Sequence, residues 1–183
     1  PGSVRLQFNF TPKDGHMLPL ANAQCLFSRL TLRANNALVE DIQNYHVAYS
    51  VFEKFLTRAA REREAGMGFP MSSLSSDGQA TYEEMAQDKT YVVSVNLLSG
   101  LLLQPKFLWP HAMPIDIALE IQDGAKMFSE RSADLTQPRS TNYVISNAMI
   151  LGDLHTISVD LTNAFTKHID DGHPLDYFLQ SID

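Results

Sequence analysis

Leu26-Phe27-Ser28-Arg29-Leu30-Thr31-Leu32-Arg33 is the stretch that decides the fold. Leu26, Leu30 and Leu32 fall on one face, and Arg29, Thr31 and Arg33 on the other. A period of two marks a strand with one buried and one wet face. Asn35-Asn36 follows, and Asn is among the few side chains that accept the positive φ a two-residue hairpin turn needs. The return strand is expected over Ala37 to Ile42, with Leu38 and Ile42 inward. One long helix is then expected from a cap at Asn44 to Gly66. Its apolar stripe is Tyr45, Ala48, Tyr49, Phe52, Phe55, Leu56 and Ala59.

Upstream, Val4, Leu6, Phe8 and Phe10 alternate with Arg5, Gln7, Asn9 and Thr11, the cleanest strand of the chain. Pro12 helps to stop it, and Asp14-Gly15 signals a turn. Downstream, Gly66 to Thr90 reads as a long loop rich in Ser and Gly, with a helical turn possible near Tyr82. Tyr91, Val93, Val95 and Leu97 share one face of a further strand. Pro105, Pro110 and Pro114 forbid a central strand or helix around Phe107, Trp109 and His111. Ile115, Ile117, Leu119 and Ile121 form a half-buried strand that ends at Asp123-Gly124.

Ser129 to Thr141 is polar and reads as a mobile loop. From Asn142 to Leu151 both faces are mainly apolar, the pattern of a central strand. Ser158 to Asp170 fits a short helix burying Val159, Leu161, Phe165 and Ile169, and Gly172 ends it. Short strands at irregular spacing, broken by Pro and Gly, indicate an all-β fold. Its expected form is a jelly-roll β-sandwich of two antiparallel sheets, with one long helix after the second or third strand and a short C-terminal helix.

The 183 residues suffice for one domain with a substantial core, expected over residues 4–183 with 1–3 as a cloning remnant. A net charge of −7 argues against broad binding to nucleic acid or to an anionic membrane. No apolar run approaches the roughly 20 residues that cross a bilayer, and no secretory signal is visible at Pro1-Gly2-Ser3. Arg58, Arg61 and Arg63 interleave with Glu62 and Glu64, the pattern of a solvated helix face. Cys25 stands alone, so no intrachain disulfide forms.

The chemistry-bearing motifs are absent: no Gly-x-Ser-x-Gly elbow, phosphate-binding loop or dinucleotide fingerprint. His168, Asp170, Asp171 and His173 are all able to ligate a metal, yet their spacing matches no strong motif and Asp-Asp-Gly is also a common turn. No catalytic, cofactor or metal residue is therefore assigned, and no enzyme activity is expected.

Three runs carry a resemblance: Leu18-Pro19-Leu20, then Leu26 to Leu32 with Asn35-Asn36 and Leu38-Val39, then Asn44-Tyr45-His46-Val47-Ala48-Tyr49. Their order resembles the double jelly-roll major capsid proteins of the branch found in Polinton (Maverick) elements, virophages and related eukaryotic DNA viruses. The later strands follow in the family's order. The resemblance implies a structural protein without cofactors, whose homotrimers build pseudo-hexagonal capsomers of an icosahedral virion capsid. Partners would be the protein itself and a penton or minor capsid protein, with no direct nucleic-acid contact and no membrane insertion. The family's chains carry two jelly rolls and this length holds one. The expectation is thus the N-terminal jelly roll of a longer capsid protein, or a derived single-domain relative. Phe107, Trp109 and His111, with Arg58 and Arg61, are the candidate subunit interface. The alternatives are a carbohydrate- or ligand-binding β-sandwich using His168 to His173 or the aromatic segment, and a cupin-like metalloenzyme, whose clustered inner His and Glu are lacking.

Overall fold

A computed structural model describes residues 4–75, 80–103, 113–129, 139–153 and 155–173. Along the chain run β1 (Arg5–Pro12), a 3-10 turn (Ala23–Leu26), β2 (Phe27–Ala34), β3 (Ala37–Gln43), α1 (Tyr45–Phe55) and α2 (Arg58–Met67). There follow β4 (Met71–Leu74), β5 (Ala80–Tyr82), β6 (Tyr91–Val95), α3 (Gly100–Leu103), β7 (Ile115–Ile121), α4 (Gly124–Met127), β8 (Tyr143–Leu151) and α5 (Val159–Asp170). The strands form three small antiparallel sheets in the orders β6-β1-β8, β3-β2-β7 and β4-β5. The fold is β-rich, with helices at its margins.

The opening hairpin forms as its residues dictate. Asn35 and Asn36 take φ of 48° and 64°, so both centres of the turn are left-handed. Leu26, Leu30 and Leu32 are fully buried. The return strand departs from simple alternation. Leu32 faces Glu40 while Arg33 faces Leu38, so Val39 is an extra residue, a bulge. The bulge turns Leu38 outward, 58% exposed, while Glu40 stays on the inner face with Ile42, 4% exposed.

The expected single helix is two. Leu56 is extended, and Thr57 caps α2 by accepting from the Ala60 amide at 3.3 Å. A Thr whose oxygen satisfies an orphan donor favours a fresh start over a continuous helix. The break leaves Phe55 81% exposed and Ala59 exposed, while Tyr45 and Tyr49 stay in the core. Asn44 precedes α1 in a left-handed conformation and makes no side-chain cap. Gly66 lies inside α2, which ends at Gly68.

β1 is the middle strand of its sheet, and its inward Phe8 and Phe10 are 1% and 0% exposed. The Phe8 ring meets Phe27 of β2 edge-on at 6.1 Å, which brings the two three-stranded sheets into one core. Phe10 lies 5.2 Å from Phe69, 5.6 Å from Phe128 and 5.0 Å from Tyr143, so segments distant in sequence close around it. Such aromatic contacts add about 0.5–1.5 kcal/mol each beyond area burial.

The stretch from Gly66 to Thr90 is more ordered than its composition implies. It holds the end of α2 and the β4–β5 hairpin, and Met85 exchanges two backbone bonds with Met17 instead of joining a helical turn. Gly124 starts α4 where a Cβ would stand 2.3 Å from the Thr141 carbonyl oxygen. Only glycine allows the two backbones to approach so closely. Most of the polar stretch 129–141 lies outside the described residues, as does the tail after 173.

Two expectations are overturned at the end of the chain. β8 is the edge of its sheet, not its centre: Val144, Met149, Ile150 and Leu151 are 39–49% exposed. α5 forms with Ser158 as its cap and Gly172 at φ 81°, but none of its residues is buried.

Candidate functional site

Two features stand out: an uncovered apolar flank and a polar-walled cavity beneath α1. The flank is built by the edge strands. Among the described residues, β7 and β8 each pair on one side only, with β2 and β1 respectively. The Tyr143 hydroxyl donates to the Gln122 carbonyl at 3.1 Å, which holds the start of β8 to the end of β7. Both open edges therefore belong to the same side of the core. β8 carries no charged residue, so nothing along it resists burial against another apolar surface. Ile121 of β7 adds to the uncovered apolar area, and α5 separately exposes Val159 and Leu161.

Arg58 and Arg61 do not act together. Arg58 pairs with Glu62 at 3.0 Å on the outer face of α2, an exposed i,i+4 pair worth a few tenths of a kcal/mol. Arg61 turns into a cleft of about 180 Å³ with Asn22, Ser50, Glu53, Lys54 and Tyr82. Burial pushes the Glu53 carboxyl above its usual range, against the opposing pull of Lys54 and Arg61. The Cys25 thiol is raised by burial too, and its sulfur lies 3.5 Å from the Ser50 hydroxyl. A thiol held protonated is a poor nucleophile. Phe107, Trp109 and His111 lie outside the described residues.

The cavity is walled by a continuous hydrogen-bond chain. Leu98 donates its amide to the Tyr45 hydroxyl at 2.7 Å, and that hydroxyl donates to Gln24 Oε1 at 2.6 Å. Gln24 Nε2 donates to the Asn96 carbonyl, and Asn96 Nδ2 donates to Glu64 Oε1 at 2.6 Å. Gln24 is 1% exposed, so the chain is held rigid by packing. Burial raises the Tyr45 and Tyr49 hydroxyls well above their ordinary pKa, and both stay protonated. The network joins the 3-10 turn, α1, α2 and the segment after β6. Beside it opens a space of about 210 Å³, faced on the apolar side by Phe52, Leu56, Leu98 and Leu103.

Sequence reasoning missed this network. Gln24 and Asn96 are ordinary polar residues, and Tyr45 and Tyr49 read only as an apolar stripe. The one usable signal was two Tyr four apart on a buried helix face, since a buried hydroxyl demands a partner.

Among the described residues, no three His, Cys, Asp or Glu side chains gather as a metal group. The His168 and His173 rings lie stacked at 4.9 Å on the outside of the α5 terminus. No described helix is long and apolar enough to cross a membrane. Comparison with family models, curated proteins and solved structures returns no match.

Proposed function

We propose that the chain is a jelly-roll domain of a capsid protein in the double jelly-roll class and works by self-association into trimeric capsomers. One observation carries this reading. Within the two main sheets the first strand pairs with the last and the second with the next to last: β1 with β8, β2 with β7, both antiparallel. Nested pairing of that kind arises when a long hairpin wraps around a core, which is how a jelly roll is made. The resemblance of the hairpin-and-helix run supports the same reading. The uncharged flank of β8 supplies the kind of surface that assembly covers, because interface cores exclude charge and enrich apolar side chains.

In this reading the domain does no chemistry. Its β1 and β2 strands hold the core while β7, β8 and α5 present area to a neighbouring subunit. The test is mass measurement of single particles across a concentration series, with the wild type and an Ile150→Asp, Met149→Asp variant. Concentration-dependent trimers that the variant abolishes, with its circular dichroism unchanged, are expected. A wild type that stays monomeric at high concentration overturns the reading.

A further inference from the structure

Among the described residues the two three-stranded sheets leave four strand edges open: β6 and β8 in one, β3 and β7 in the other. An open edge offers unpaired backbone groups to any other strand, and folded proteins protect it with short length, charge, proline or a bulge. β6 is only five residues long. β3 carries Glu40 and Asp41, and β7 carries Asp116 and Glu120. β8 runs for nine residues and holds neither a charge nor a proline. What it has is a bulge. Gln7 faces Met149 and Asn9 faces Ser146, so Phe8 alone stands opposite both Asn147 and Ala148. Asn147 takes a φ of 51°, the left-handed conformation that asparagine accepts and β-branched residues resist.

We propose that the Asn147 bulge guards the β8 edge, barring strand addition there by β8 of a second copy. A bulge breaks the ladder locally and increases the twist of the strand, so an incoming straight strand loses its register where it meets Asn147. Only the short halves 143–146 and 148–151 remain regular. The second copy is the strand to be guarded against, because its β8 is uncharged as well and no like-charge repulsion holds the two apart. Without Asn147 the edge reads Val-Ile-Ser-Ala-Met-Ile-Leu, an uncharged run without Gly or Pro, the composition of stacked-strand aggregates. The bulge also decides which side chains face the core. Ile145 stands opposite the buried Phe10 and Ile150 opposite the buried Leu6, and the two share that side because one extra residue lies between them. The guard does not depend on the assembly reading, since trimers formed across side-chain faces need no added strand.

The test deletes Asn147 from the intact chain. Ala148 then stands alone opposite Phe8 and the pairs on either side keep their register, so the variant is expected to fold with the circular dichroism of the wild type. Held well below its melting midpoint, it is expected to raise thioflavin fluorescence about tenfold over the wild type at equal concentration. Diffraction from the product is expected to show the strand spacing of about 4.7–4.9 Å. Asn147→Gly keeps the left-handed bulge and is expected to stay at the wild-type level. Adding Met149→Lys to the deletion puts a charge on the edge and is expected to restore that level. If the deletion misfolds, Asn147→Val takes its place, with a smaller rise expected. A folded deletion variant, or a folded Asn147→Val in its stead, that stays at the wild-type level overturns the proposal. So does a rise of equal size in Asn147→Gly. Thioflavin reads added strands and not trimers, so this proposal and the assembly reading fail separately.

Discussion

Replacing Tyr45 by Phe removes a single oxygen and keeps the ring that packs on Phe27 at 6.4 Å. That oxygen serves two buried partners, accepting from the Leu98 amide at 2.7 Å and donating to Gln24 Oε1 at 2.6 Å. Both partners are left in a site that is 0% exposed at Tyr45 and 2% at Leu98. Each orphaned group costs about 1–3 kcal/mol, so the substitution is expected to cost about 2–5 kcal/mol in all. For a chain of this size that corresponds to a fall in melting midpoint of roughly 5–15 °C. Tyr49→Phe is the control. It removes a hydroxyl that has no partner among the described residues, and it is expected to be neutral or slightly stabilising. Urea unfolding followed by circular dichroism measures both, with m unchanged as the sign that only stability has moved. A Tyr45→Phe loss below about 0.5 kcal/mol, or equal losses for the two variants, refutes the network as a stabilising unit.

Asn35→Val places a β-branched residue at φ 48° and is expected to cost about 1–2 kcal/mol in the same assay. Gly124→Ala drives a Cβ into the Thr141 carbonyl and is expected to cost about 1–3 kcal/mol, with the damage localised to α4 and the start of β8 by hydrogen exchange. Two carboxylates are expected to act oppositely with pH. The Arg29 guanidinium bonds Asp41 at 2.7 and 2.8 Å and holds its carboxyl below the usual range. That stabilisation is present above the unfolded pKa near 4 and is lost as pH falls further, so Asp41→Asn flattens the acid limb of a stability–pH profile. Glu53 is held above its usual range by burial, so its ionisation opposes folding at neutral pH and the penalty fades as pH falls through its folded pKa. Glu53→Gln is therefore expected to raise the melting midpoint at pH 7 and to leave it unchanged near pH 4.

Local signals were legible in the sequence wherever one residue type has one physical use. Asn-Asn gave the turn, Gly172 the end of α5, and the Val4–Thr11 alternation gave β1. What alternation does not encode is an insertion. The Val39 bulge took Leu38 out of the core, and Glu40, inward by alternation with Ile42, meets the Ser99 hydroxyl at 2.6 Å and the Gly100 amide at 2.9 Å. No pattern in residues 37–42 indicates that partner, which lies some 60 residues away. The helix break has the same character. The stripe through Phe55 and Ala59 is continuous as a pattern, and Thr57 ends it by a hydrogen bond that periodicity does not weigh. The polar cavity is less legible still, because its wall is assembled from four separate segments.

The misreading of β8 has a different origin. Apolar residues on both faces of a strand state that both faces meet apolar surface, and a central position is only one way to meet it. In this chain the strand lies at an edge, so its outward residues remain uncovered while its pattern still asks for cover. α5 repeats the discrepancy: an amphipathic helix with an intact cap and no buried side chain. Two elements consecutive in the chain are each patterned for burial, neither is buried, and each asks for cover. The composition of β8 places that requirement on an uncharged surface, because an ion pair offered to Val144, Met149, Ile150 and Leu151 would lose its hydration without gaining a partner. In the proposed assembly this makes the flank, and not the interleaved charges of α2, the surface for association.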